Sequence, residues 1–432
     1  MRTSRLTTLS EYVQRIEYGG MHVDIVRTAN NVVRIGSMPD IVKFLGEHDI
    51  HDNIVVVPDW EVSMAGDNRT GEEFVLWSAE KRKSPPKKYV GAKHNVERLH
   101  AHLNCIFPYF FDDDRLSIVK TDWLDRWFDL QIAGPVYQND ELSIRCEDGN
   151  VVIADNDVVL YSRDELKPGT DVDGKIESLL STIQRDNTPR AYLEVMPIGC
   201  GNGLYDTPAN TIVRFGDHVI WIDPCGYPAQ SLSLHNIHWD DITHFLFTHN
   251  HEDHIQGFTA CLARARQKGR PLNLLMAENA YRLLVEMYSP LFPDLTGHVN
   301  IQYLQPGIPL VLDSLTIESR WNHHILPYGT IGLKFTAGGK SFGYSGDTKY
   351  DETLNSILKQ TELSAQWFAP CDLVFHEIDF ENPDSVHTHW EQVEALQQAI
   401  PGRVLGYHAS PQQSPPFPLA QEGKRYILDE AF

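Results

Sequence analysis

The sequence lacks most of what would place a chain outside the soluble globular classes. Its six cysteines (Cys105, Cys146, Cys200, Cys225, Cys261 and Cys371) are scattered, with no CxxC pair. Free thiols in a reducing cytoplasm fit that scatter. No stretch approaches the roughly 18 apolar residues of a membrane span. Residues 1–14 are polar and lack the apolar core of a secretory signal, so a cytoplasmic protein with no membrane partner is expected. No internal repeat and no long low-complexity tract is visible. Positive charge is short as well: 37 Lys and Arg stand against 59 Asp and Glu, a net charge of −22. A chain that tracks a long polyphosphate backbone generally shows a basic face, so long nucleic acid is the less favoured partner.

What is present is a chain of 432 residues, 42% hydrophobic and 22% charged, with ample core for two domains. Residues 1–165 read as an α+β domain of unassigned role. Within it, 24–34 and 54–58 have strand patterns, 39–47 and 95–103 helical ones, and 151–161 reads as a hairpin about Asp155, Asn156 and Asp157. The aromatic piece 106–111, with Trp123 and Trp127, reads as core. His94, His100 and His102 have no carboxylate pattern beside them and read as ordinary surface or core histidines. The basic run 81–88 is broken by Pro85 and Pro86 and reads as a solvated loop. Residues 166–190 form a linker with a short amphipathic helix at 175–184. Residues 191–432 form the second domain, in which a strand, a polar residue at its end and a helix recur.

The densest chemistry is Thr248-His249-Asn250-His251-Glu252-Asp253-His254. An apolar run, 242–247, leads into it, and a helical segment, 258–268, follows. The cluster therefore sits at a strand end, where layered α/β folds bind ligands. His249 and His251 alternate and can face one centre, while Asp253 and His254 reach a second. Imidazoles and carboxylates without a nearby thiolate suit zinc, or manganese or iron. A binuclear site needs about seven or eight donors. Asp347, His408, and His323 or His324 each stand at or just past a strand end and complete the set. Asn279 is expected to cap a helix running to residue 287, and Thr388 with Glu391 reads as a capping box opening a helix to residue 399.

Residues 193–432 resemble a metallo-β-lactamase-fold hydrolase. Residues 248–254 match the family's THxHxDH signature, Ser345-Gly346-Asp347-Thr348 its SGDT segment, Asp223 its early strand-end aspartate and His408 its last ligand. The resemblance implies an αββα sandwich, preceded here by a separate α+β domain. It implies two zinc ions, with manganese or iron as alternatives. His249, His251 and His324 would hold one; Asp253, His254 and His408 the other. Asp347 would bridge, and Asp223 would orient a ligand. His324-Ile325-Leu326-Pro327 resembles the HxxP step of phosphodiesterase-like branches, which favours His324 over His323. Residues 372–380 resemble the HEAT-type motif of ribonuclease Z, and His387-Thr388 its HST motif. Glu377 and His387 would then act with Asp253 in catalysis, His389 being the competitor for the outer acid.

The resemblance implies attack on phosphorus by a metal-bridging hydroxide. The interval from His324 to Asp347 is filled by a hairpin, where ribonuclease Z carries a long tRNA-gripping arm. A small or cyclic, nucleotide-like phosphodiester is therefore the expected substrate. The alternatives are an RNA or tRNA 3′-processing endonuclease, a lactonase or thioesterase, and a regulatory or binding protein driven by the first domain. A homodimer is compatible with the sequence.

Overall fold

The computed structural model describes residues 4–57, 64, 66, 87–111, 128–129, 136–147, 150–163, 171–203, 206–324, 329–350, 353, 356–357, 365–410 and 415–429, and every structural statement below concerns these. The first sheet runs in chain order: β1 (Arg5–Thr8), β2 (Val13–Tyr18), β3 (Met21–Arg27), β4 (Val32–Ile35), β5 (Ile54–Val57), β6 (Lys87–Gly91) and β7 (Phe128–Asp129). It is antiparallel up to β4 and parallel beyond it. A second sheet orders β8 (Val136–Gln138), β9 (Leu142–Glu147), β10 (Asn150–Asp155) and β11 (Val158–Arg163) as an antiparallel meander.

The third sheet holds β12 (Arg190–Gly199), β13 (Asn210–Gly216), β14 (His218–Ile222), β15 (His244–Leu246), β16 (Leu272–Met276) and β17 (Val299–Tyr303). The fourth holds β18 (Leu310–Leu312), β19 (Leu315–Trp321), β20 (Ile331–Ala337), β21 (Lys340–Tyr344), β22 (Leu373–Glu377) and β23 (Arg403–Tyr407). A last strand, β24 (Tyr426–Leu428), returns to pair with β12. Strands β14 to β17 are parallel, as are β21 to β23. Their buried apolar runs, such as Leu373-Val374-Phe375, are what strands covered on both faces require. Two sheets with helical crossovers make the αββα sandwich of the metallo-β-lactamase fold.

Aromatic rings tie neighbouring strands of the fourth sheet together and, through Phe375 and Tyr426 at 5.4 Å, join that sheet to the third. Phe342 meets Phe375 edge-on at 5.0 Å, and Phe375 stacks on Tyr407 at 5.6 Å. Truncating such a ring typically costs about 3–5 kcal/mol. The largest core cluster also takes in Ile16, Val23, Ile25 and Phe44 of the first half. The hairpin from β20 to β21 turns at Gly338 and Gly339, both left-handed (φ 57° and 75°), which a two-residue loop of this hand demands.

Several local expectations are corrected. Residues 24–34 are two strands, β3 and β4, because Thr28 and Asn31 close a turn between them. The helix expected at 95–103 runs from Lys93 to Phe111, and that expected at 175–184 is Asp171–Ser181. Lys87 is no part of a solvated loop: it is buried, with its Nζ 2.5 Å from Asp52, which also binds Arg34 at 2.7 Å. Asn279 lies inside the helix Glu278–Tyr288, whose cap is Ala277. The capping box starts one residue late, at His389 with Gln392, because the Thr388 hydroxyl is taken by the Thr348 carbonyl at 2.7 Å. Trp123 and Trp127 lie outside the described residues.

Candidate metal centre

The polar residues gather at one end of the sandwich because parallel strands deliver their carboxyl ends to one rim. β14 leads directly into Asp223 and β23 into His408, β22 ends at Glu377, the loop after β21 carries Asp347, and β15 runs on into Thr248 and His249. His251 has extended backbone (φ −68°, ψ 146°) and opens the short helix Glu252–Ile255. That step turns Asp253 and His254 back toward the rim.

The potential ligand atoms form three groups, each with all members within 4.8 Å of one another: His249, His251, His324 and Asp347; Asp253, His254 and His408; and Asp347, Glu377, His387 and His408. Asp347 stands between the first two. Its Oδ2 faces His249 Nε2 at 3.8 Å and His324 Nε2 at 3.7 Å. Its Oδ1 faces His254 Nε2 at 3.2 Å and His408 Nε2 at 3.7 Å. The His408 ring stacks on His254 at 5.3 Å, and its Nε2 lies 3.2 Å from Asp253.

Outer groups hold these residues. Asp223 accepts from the Thr248 N–H at 2.7 Å and hydroxyl at 2.8 Å, and from His254 Nδ1 at 3.0 Å. The Tyr344 hydroxyl donates to it at 3.3 Å. Asn322 donates to the carbonyls of Ser345 and Asp347, at 2.7 and 2.8 Å, and so fixes the loop that carries the bridging candidate. Glu377 accepts from the Thr348 N–H and meets His387 Nδ1. Asp223 and His408 are left-handed (φ 49° and 55°), a costly backbone for residues with a Cβ and one that clusters at functional sites.

Of the competing residues, His324 packs its ring 5.0 Å from His251, whereas the carbonyl of His323 accepts from Lys349 N–H. His387 meets Glu377, whereas His389 caps its helix. His102 lies away from the centre, with Nδ1 donating to the Met287 carbonyl at 2.5 Å. Sequence reasoning missed Asn322, Tyr344 and the Tyr407 hydroxyl that Tyr344 reaches at 3.4 Å. A polar residue ending an apolar strand was the available signal.

Burial lowers the pKa of His251 to about 4 and holds His249 and His324 well below the usual imidazole value, so all three are neutral donors. His254 is raised, because Asp347, Asp253 and Asp223 outweigh its burial. Partly buried Asp253 and buried Asp347 are held low against the cost of burial, the first by His254 and His408, the second by His408 and His254. Burial raises Glu377, an effect His387 only partly offsets. Burial opposes the charged form of His387, but Glu377 outweighs it and lifts the pKa to about 10. Among the described residues, every ion pair these carboxylates make is with a histidine. Buried carboxylates without Lys or Arg cost several kcal/mol each, roughly, unless cations balance them. The donor chemistry therefore suits two dications.

A protein-family model described as Anti-Pycsar protein Apyc1 matches residues 193–428. Ribonuclease Z of Clostridium acetobutylicum is 31% identical over 110 residues, 23% of this chain and 35% of that relative. The chain thus spans about a third of the curated relative it matches. Among solved structures, the metallo-β-lactamase fold protein YhfI from Bacillus subtilis is 18% identical, with a TM-score of 0.42 over 50% of this chain and 86% of that one. The short form of human tRNase Z is 13% identical, with a TM-score of 0.43 over 54% and 98%. A long form RNase Z from yeast is 12% identical, with a TM-score of 0.40 over 95% and 69%.

Proposed function

The chain belongs to the Anti-Pycsar protein Apyc1 family, and from that premise we propose that it is a two-metal phosphodiesterase acting on a small or cyclic, nucleotide-like phosphodiester. The observation that carries this reading is the division of Asp347, whose two oxygens face two separate histidine groups. His249, His251 and His324 would hold one ion, Asp253, His254 and His408 the other. Bound there, a zinc-class pair would supply Lewis-acid polarisation of the phosphoryl group and an activated water at neutral pH.

The chain's own residues do the rest. Asp223 fixes the tautomer and direction of His254, leaving Nε2 for the rim. Neutral His249, His251 and His324 offer lone pairs without first losing a proton. Glu377 holds His387 protonated through Nδ1, which leaves Nε2 to donate a proton to the departing oxygen. Such a donor typically contributes about 10²–10⁴-fold. A protonated donor is of use where an alkoxide leaves, which favours phosphodiesters over thioesters, whose thiolates need little protonation.

A ribonuclease Z relative keeps a second reading in view, an RNA or tRNA 3′-processing endonuclease. The net charge of −22 weighs against a long nucleic-acid footprint, and buried Lys87 removes one cation from the basic run. The test is a substrate panel of cyclic mono- and dinucleotides, RNA, precursor tRNA, lactones and thioesters with the zinc- or manganese-loaded protein. Turnover of the small phosphodiesters is expected to dominate; a preference for precursor tRNA, or for a lactone or thioester, overturns the reading.

A further inference from the structure

The first half of the chain, which carries none of the chemistry above, repeats the strand order and pairing of the second half. In the first sheet, β3 pairs with β4 from Asp24 opposite Ile35 to Arg27 opposite Val32. In the third, β13 pairs with β14 from Thr211 opposite Ile222 to Arg214 opposite Val219. The interval from 24 to 211, from 35 to 222 and from 27 to 214 is one constant, and Ile25-Val26-Arg27 is matched by Ile212-Val213-Arg214.

The match continues at the same interval beyond the strands. Ile41–Glu47 and Pro228–Leu234 are both seven-residue helices, entered through left-handed Asp40 (φ 61°) and Tyr227 (φ 57°). Both end at a histidine, His48 and His235, followed by left-handed Asp49 (φ 51°) and Asn236 (φ 54°). Ile50 then bonds the Leu45 carbonyl at 3.0 Å, and Ile237 the Leu232 carbonyl at 2.9 Å. The sheets agree in order and sense: β2 to β7 run as β12 to β17, and β8 to β11 as β18 to β21. Among the described residues the first half has no partner for β22 and β23, the strands that deliver Glu377 and His408. Gly36 occupies the place of Asp223, and no histidine occurs between Val57 and Lys87, the stretch of sequence that corresponds to the one between β15 and β16.

The two halves meet as two copies of one chain meet across a two-fold axis, where residue i touches j and j touches i. Lys43 Nζ donates to the Asp206 carbonyl at 2.9 Å, and its counterpart Gln230 Nε2 donates to the carbonyl of Gly19, the counterpart of Asp206, at 2.8 Å. Residues on the axis meet their own counterparts. A Cβ on Gly226 would lie 2.6 Å from Pro39 Cβ; beyond β6 and β16, whose starts Lys87 and Leu272 set a second interval that carries His102 onto Met287, His102 bonds the Met287 carbonyl.

The reciprocal contacts have unequal neighbours. Gly19 lies in a tight turn between β2 and β3. Asp206 lies in the longer connection between β12 and β13, which is built against the metal centre. In that connection Gly203 packs on Asp253, where a Cβ would come within 2.6 Å of the Asp253 Cβ, and the Cys200 carbonyl accepts from Ala409, next to His408, at 3.0 Å. We infer that the first half is a metal-free second copy of the hydrolase fold acting as a built-in partner, and that Lys43 is its positioning residue, holding the Asp206 connection against the substrate site.

The inference rests on the phosphodiesterase reading for its activity arm and not for its metal arm. The full chain is compared with Lys43→Ala, Lys43→Arg and Gln230→Ala by metal analysis, melting temperature and steady-state kinetics on bis-p-nitrophenyl phosphate. Two metals per chain are expected, and four overturn the metal-free copy. Lys43→Ala, which removes the bond to the Asp206 carbonyl together with the pairing to Asp40, is expected to raise KM about tenfold with kcat little changed. Gln230→Ala, which removes the matching contact, leaves KM unchanged, and Lys43→Arg restores it. Equal KM in Lys43→Ala and Gln230→Ala overturns the positioning role, whatever their melting temperatures. A metal-loaded wild type that turns over no phosphodiester defeats the function proposed above and leaves the metal count standing as the test of the duplication.

Discussion

Asp223 and Thr248 are joined twice, through the backbone N–H and the hydroxyl of Thr248, and the same carboxylate holds His254 Nδ1 at 3.0 Å. One buried side chain thereby orients both the loop that starts the histidine cluster and one of its rings. Asp223→Ala is expected to weaken metal binding by about 10–100-fold, the usual cost of losing such a partner. A competition titration with a zinc chelator reads this directly; unchanged affinity would remove Asp223 from the account.

Asp347 and Asp253 are proposed to touch the ions themselves. Asp347→Ala and Asp253→Ala should each abolish turnover of bis-p-nitrophenyl phosphate and reduce bound metal below two equivalents. Far-ultraviolet circular dichroism should show the fold intact. Full metal content in either variant contradicts the ligand assignment.

His387 is expected to matter in proportion to how poorly the leaving group departs. His387→Ala should cost about 10²–10⁴-fold on an alkyl phosphodiester and much less on a p-nitrophenyl ester, whose phenolate needs little protonation. Equal losses on both substrates would take the proton-donor role away from it.

Asp52 gives a prediction about acid stability, far from the metals. Burial would raise its pKa, but Lys87 and Arg34 outweigh burial and hold it well below the usual carboxylate range. A depressed folded value means that Asp52 stabilises the fold fully above about pH 4, its unfolded range, and progressively less as pH falls toward the folded value. Asp52→Asn should cost about 3–5 kcal/mol at pH 7, because it leaves two buried cations with one partner fewer. Urea unfolding at pH 7 and pH 3 tests this: the gap between wild type and variant must narrow at the lower pH.

The gathering of candidate ligands was largely legible because its chemistry is written in residue type. Histidines and aspartates at strand ends have few other uses in such density, and His249, His251, Asp253, His254, His324, Asp347 and His408 do converge on one rim. The first half was illegible for the complementary reason. It kept the strand registers, the left-handed residues and the contacts on the axis, none of which demands a particular side chain, and little sequence likeness remains beyond Ile25-Val26-Arg27 and the scattered Ile35, Leu45, His48 and Ile50. Lys87 was misread because its partner Asp52 lies 35 positions away, and composition alone sees a basic run. Asn279 and Thr388 were misplaced by a residue or two because capping preference is local, whereas Thr388 is claimed by Thr348, 40 positions distant.

The pairing of β24 with β12 sets the order in which the protein can mature. Domains emerge from the ribosome amino-terminal end first. The first half, with Pro39 and His102 already in place, can offer a finished face before any ligand has been made. The second half then condenses on that face, yet its sandwich stays open at one edge until Tyr426 arrives. His408, made just before that closing strand, is the final ligand to appear. A pair of ions held by the full donor set would therefore form only after the strand that delivers His408 has been made.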